Sequence, residues 1–143
     1  MTTRRRALPP ELLRAYLNAH YHINDRGIRL TLRIGEPSAA LELLMRSQHT
    51  EAAAYLTACN PHSQPLAPEE NQRRNRSLER DLQARARLIL RGSSTDPRHL
   101  WPPEESFLAL GLPLREARTL AERYEQNAFV WIGRNKIPRL ILT

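Results

Sequence analysis

The residues of this chain best suited to chemistry are carboxamides and carboxylates. They fall into four groups: Asn60-Pro61-His62-Ser63, Asn71 with Asn75, Glu104-Glu105-Ser106, and Gln126-Asn127. A carboxamide both donates and accepts hydrogen bonds, so Asn60, Ser63, Asn71, Asn75, Ser106, Gln126 and Asn127 form a candidate ligand-binding set. Glu104 and Glu105 are candidate general acids or bases, a role that requires burial and a raised pKa. Each group also has a purely structural explanation. Asn, Pro and Ser are ordinary turn formers. Asn71 and Asn75 could tie the loop at 60–67 to a helix, because a buried unsatisfied amide costs roughly 1–3 kcal/mol. Glutamates beside a surface loop are ordinarily solvated.

Other chemistries find less support. The five histidines show no H-E-x-x-H or similar ligand spacing. His20 and His22 share a strand face and read as a polar sheet edge with no metal role. Ser63, Ser106 and Thr57 lack the G-x-S-x-G turn of an activated serine, and a chain with five glycines holds no phosphate-cradling loop. The single cysteine, Cys59, excludes an internal disulfide and a cysteine-cluster metal site. No cofactor is implied.

These residues need a scaffold, and 143 residues with 41% hydrophobic and 26% charged side chains make one compact domain. The expected division is a basic tail at 1–8, carrying Arg4-Arg5-Arg6, and a single domain at 9–143. Pro9-Pro10-Glu11 starts a helix with Leu12, Leu13, Tyr16 and Leu17 on one face. A short strand at 21–23 turns through Asn24-Asp25-Arg26-Gly27 into a strand whose Ile28, Leu30, Leu32 and Ile34 alternate with Arg29, Thr31 and Arg33. Ser38 caps a second helix. A strand at 52–58, where the alanines leave a helical reading open, precedes the longest helix, which Pro68-Glu69-Glu70 opens and which runs to about residue 86. Traced backwards from Leu78, Leu82 and Ile89 in steps of three and four, its apolar stripe lands on Asn75 and Asn71. A strand at 87–91, an irregular loop at 92–103 with Asp96, His99 and Trp101, and a strand at 107–110 follow. A helix carrying Leu114, Ala117, Leu120, Ala121 and Tyr124 leads to a hairpin of 128–132 with 137–142, in which Pro138 marks an edge.

From residue 52 the order is strand, helix, strand, strand, helix, strand. The expected fold class is therefore α+β, with a ferredoxin-like (βαββαβ) core, an added N-terminal β-hairpin and helix, and a C-terminal hairpin strand. Alternating strand direction then gathers the four polar groups at one edge of the sheet, beside a helix N-terminus that favours an anion.

Several fragments together, Leu32-Arg33-Ile34-Gly35-Glu36, Thr57-Ala58-Cys59-Asn60-Pro61-His62-Ser63, Glu70-Asn71, Glu104-Glu105-Ser106 and Gln126-Asn127-Ala128, resemble the uncharacterised bacterial family catalogued as domain of unknown function 3293. The resemblance runs over roughly residues 12–142. Cys59 stands where the family's pattern has an aromatic residue, which argues against thiol chemistry. The resemblance implies a bacterial protein and one constellation of Asn60, Asn71, Ser106, Gln126 and Asn127, and it implies no activity.

The net charge of +7 favours anionic partners, and 21 of the 22 cations are Arg, a bias that a GC-rich genome explains better than phosphate recognition does. Arg73, Arg74, Arg76, Arg80 and Arg85 interleave with acids on the long helix, as on a solvated face. Trp101 and Tyr124 are the candidates for stacking on RNA, while Trp131 reads as core. The leading expectation is a non-catalytic cytoplasmic binding domain for a small anionic or nucleotide-like ligand, or RNA, at the amide-rich edge. The alternatives are a small hydrolase or transferase with a Glu general base, and an interaction module that pairs with a protein partner or a second copy through its last strand. No run is long and apolar enough to span a membrane.

Overall fold

The computed structural model describes residues 8–143; Arg4-Arg5-Arg6 and the rest of the tail through residue 7 lie outside the described residues. The chain is a mixed α+β domain with four α-helices and one seven-stranded antiparallel sheet. In chain order the elements are α1 (Pro10–Asn18), β1 (His20–Asp25), β2 (Ile28–Leu32), α2 (Ala39–Ser47), β3 (Ala53–Leu56), α3 (Pro68–Gln83), β4 (Leu88–Thr95), β5 (Glu104–Leu110), α4 (Leu114–Arg123), β6 (Ala128–Ile132) and β7 (Arg139–Leu142). The strands lie in the order β2-β1-β4-β5-β3-β6-β7.

Local sequence accounts for most of these boundaries. Pro10 sits in the first turn of α1, Pro68 in that of α3, and Ser38 Oγ accepts the Leu41 N–H at the start of α2. The β1–β2 turn needs positive φ at both central residues, which Arg26 (49°) and Gly27 (80°) supply. Period-two alternation then sorts the strands onto two cores. Tyr21, Ile23, Leu30, Leu32, Tyr55, Leu90, Leu108 and Val130 face α2, whose Leu41 and Met45 are fully buried. Ala54, Leu56, Phe107, Ala109, Phe129 and Trp131 face Leu78 and Leu82 of α3 and Ala117, Leu120 and Ala121 of α4.

The structure corrects several sequence expectations. β4 does not stop at residue 91: Gly92-Ser93-Ser94-Thr95 continue the strand because they pair with β1, as in His22↔Ser93. β5 begins at Glu104, which reduces the loop to 96–103, and there Asp96 orders the turn by accepting the Arg98 and Leu100 N–H groups at 3.0 and 2.8 Å. Helix α3 ends at Gln83 and not near residue 86, and Ile89 lies in β4, in keeping with the strand expected at 87–91. His20 and His22 lie on an internal strand between β2 and β4, and both His22 ring nitrogens bond to threonines, Thr31 and Thr95. Tyr124 is buried beneath the Arg74 guanidinium and is closed to base stacking. The last strand, β7, is an edge as its proline suggests. No helix of the described residues is long and apolar enough to cross a membrane.

Candidate functional site

The antiparallel register sets the end of β3 beside the start of β5, with Leu56 opposite Phe107, and Tyr55 opposite Val130 of β6. The chain leaving β3 therefore passes over Glu104 and Glu105 before it enters α3. Its turn is unusual. Asn60, His62 and Ser63 all have positive φ (50°, 51° and 61°), which Asn tolerates but which costs His and Ser about 1 kcal/mol or more each.

Carboxamides hold this loop in place. Asn71 Oδ1 accepts the Asn60 N–H at 2.9 Å, and Asn71 Nδ2 donates to Asn60 Oδ1 at 2.8 Å. Asn60 Oδ1 also accepts the Leu66 N–H, so one side chain closes the loop on itself. One turn further along α3, Asn75 is 3% exposed. Its Oδ1 accepts the Ala58 N–H at 2.8 Å and its Nδ2 donates to Glu105 O at 2.9 Å. Gln126 Nε2 donates to Cys59 O, and Asn127 Nδ2 donates to Ser63 Oγ, which also bonds the Tyr16 hydroxyl at 3.0 Å. Most of the amide hydrogen bonding is thereby spent on the protein itself.

Beside this clasp lies a cavity of about 480 Å³, the size of a small-ligand site. Leu12 and Tyr16 of α1, Leu66, Trp101 and four prolines supply its walls, while Asn60, Ser63, Asn71, Glu104 and Glu105 supply its polar groups. Among the described residues, no Lys, Arg or His lines it. A second chamber of about 40 Å³ shares Tyr16, Trp101 and Glu104 with it and extends towards Tyr21, Tyr55, Ser94 and Ser106.

The sequence candidates thus separate. Asn60, Ser63 and Asn71 line the cavity, and Ser106, 2% exposed, lines the inner chamber and donates its hydroxyl to Glu104 O. Asn75, Gln126 and Asn127 stand behind the loop and position it. Glu105 is exposed, as a solvated carboxylate should be. Glu104 is not. It points into the cavity from the first residue of β5, and burial pushes its carboxyl above the ordinary glutamate range, an effect only partly offset by the Asn60 Nδ2 donor 2.7 Å from Oε2. Burial likewise raises the Tyr16 hydroxyl. The sequence reading omitted Tyr16, Leu12 and Leu66 from the site. Only the apolar face of α1 hinted at the first two, and nothing local says that α1 covers a residue of β5. No group of three or more His, Cys, Asp or Glu among the described residues could hold a metal ion.

Residues 56–129 match the model of a family described as "Protein of unknown function (DUF3293)", a span that contains the fragments from Thr57 to Ala128 quoted above. Comparison with curated proteins and with solved structures returns no match.

Proposed function

The chain belongs to the DUF3293 family of proteins of unknown function, and from its own residues we propose a small-molecule-binding domain whose site is the cavity over Glu104. The observation that carries this reading is a half-buried carboxylate, its proton held more tightly by burial, at the end of a ligand-sized, largely apolar cavity. Evolutionarily neutral packing has little use for such a group, because a buried charge costs several kcal/mol unless something pairs with it. The carboxamides serve as supports: they hold a strained loop in the shape that makes one wall. A ligand therefore meets a preformed surface and pays little to order it. We read the order β4-β5-β3-β6, with α3 and α4 packed on one side, as a ferredoxin-like core whose sheet β1 and β2 extend and to which α1 adds one wall of the cavity. With a single cysteine, the chain suits a cytoplasmic setting.

The anionic ligand expected from the net charge is not favoured at this cavity, since the described residues that line it include two glutamates and no cation. The second reading, Glu104 as a general base, draws on the same raised basicity. The test is an amide-resolved NMR titration with a mixed fragment library. Shifts gathered at residues 60–66, 71–72 and 101–105 are expected. Shifts confined to the arginine-bearing surfaces, or none, refute the proposal. New product resonances that Glu104→Gln abolishes turn binding into catalysis.

A further inference from the structure

Three features of the molecule invite a ligand. The groove between α3 and β4, about 300 Å³, holds Arg76, Arg91, Glu79 and Glu105, but Arg91 is already paired with Glu79 at 3.1 Å. The basin around Arg46, Arg134 and Lys136 is open, and Glu42 and Glu51 neutralise its arginines. The cavity at Glu104 differs from both, because among the described residues Glu104 pairs with no group of opposite sign.

We propose that the ligand of this cavity is an organic monocation, an ammonium group on an apolar or aromatic body, with its head at Glu104 between Tyr16 and Trp101. The inference rests on the reading of the cavity as the binding site and adds the ligand's charge. Four observations support it. First, the sign of the site opposes that of the chain: in a protein of net charge +7, the described residues that line this cavity include two glutamates and no Lys, Arg or His. Second, Glu104 Oε2 receives one neutral donor, Asn60 Nδ2, which satisfies a lone pair and leaves the charge uncompensated. Third, the two aromatic residues that line both chambers, Tyr16 and Trp101, are side chains of the kind that stabilise a cation. Fourth, the volumes fit a small head and a larger body. The inner chamber of about 40 Å³ admits a group of one or two heavy atoms, and the outer one of about 480 Å³ takes the remainder against Leu12, Leu66 and the prolines.

The groups facing Glu104 set the sign of its response to pH. They are the Tyr16 hydroxyl from α1, those of Tyr21 and Tyr55 from β1 and β3, the Cys59 thiol, and Glu105 next to it in β5. Burial raises all three phenols and the thiol, so these groups are neutral near pH 7 and none supplies a positive charge. Glu104 therefore keeps its proton to a higher pH than a free glutamate, and an arriving ammonium replaces that proton as the counter-charge. Below the carboxyl's pKa, binding releases one proton and weakens by about tenfold for each unit of pH lost. Above it, affinity is level until the amine itself deprotonates.

The experiment uses three probes of one shape: benzylamine, benzyl alcohol and benzoate, titrated into the labelled full chain and into Glu104→Gln. The substitution preserves an acceptor for Asn60, and the amide spectrum reports whether the fold survives. Benzylamine is expected to shift residues 60–66 and 101–105 and to bind about tenfold more tightly than benzyl alcohol, with benzoate weakest. Glu104→Gln should erase that preference while alcohol binding persists. Equal affinities for the three probes, or an amine preference that survives Glu104→Gln, overturn the assignment of charge and leave the cavity as a binding site. Absence of shifts at these residues with every probe overturns both.

Discussion

Replacing Asn75 by Ala tests whether carboxamides hold the loop. The side chain is 3% exposed and serves two backbone groups, the Ala58 N–H and the Glu105 carbonyl. Truncation leaves the Ala58 N–H without its acceptor inside the protein, a penalty of roughly 1–3 kcal/mol. The Glu105 carbonyl fares better, because the Thr57 hydroxyl still donates to it at 2.6 Å, and its loss is about 0.5–1.5 kcal/mol. Alanine's helix propensity returns roughly half a kcal/mol. The expected net loss is about 2–3 kcal/mol, measured by urea unfolding with an unchanged m-value. A loss below about 1 kcal/mol at constant m would refute the reasoning, because water entering from the α3–β4 groove would then replace the amide at little cost. The NMR spectrum of the same variant should show its largest changes at residues 57–66, on the loop that Asn75 holds.

Two further predictions concern other levels of the structure. Glu104 has a folded pKa above its unfolded value, so its contribution is fully present below the unfolded pKa and is lost as pH rises through the folded one. Thermal melts from pH 4 to pH 8 should therefore show Glu104→Gln gaining stability relative to wild type as pH rises, and a difference independent of pH would remove the case for a desolvated carboxylate. Gly92→Ala should destabilise by at least about 3 kcal/mol or abolish soluble expression, because a Cβ at that position would lie 1.8 Å from the His22 carbonyl oxygen across the β1–β4 pair. Folding at wild-type stability in urea would contradict the close approach of the two strands.

What the sequence disclosed, and what it withheld, divides along the range of the interactions. Ser38 as a cap, Arg26-Gly27 as a hairpin turn and the alternation of β2 are matters of a few neighbouring residues, and their chemistry is visible there. The Asn71 and Asn75 stripe was legible too, since a period of 3.6 residues says which side of α3 faces inward. Gly92-Ser93-Ser94-Thr95 has the composition of a loop and becomes strand only because β1 is there to pair with it. Glu104 looked solvated because the residues that bury it are remote: Tyr16 and Leu12 precede it by more than 80 positions along the chain, as their numbers show. Charge misled in a related way. A total of +7 says nothing about the sign inside one cavity, and the lining of this one is acidic.

The strand order also governs when this molecule can acquire its shape. His22 pairs with Ser93, and Tyr55 with Val130, so neighbours in the sheet are separated by much of the chain. On the ribosome, the hairpin of β1 and β2 emerges first and must wait for β4 before its inner edge is covered, and β3 stays open on one side until β6 has been made. A sheet of such non-local pairings folds slowly, because each closure carries the entropy of a long loop before its contacts form. The cavity exists only afterwards, since its opposite walls come from the first helix and the fifth strand. A nascent or partly unfolded chain thus has the polar residues but no cavity, so the ligand proposed for it would bind the completed domain alone.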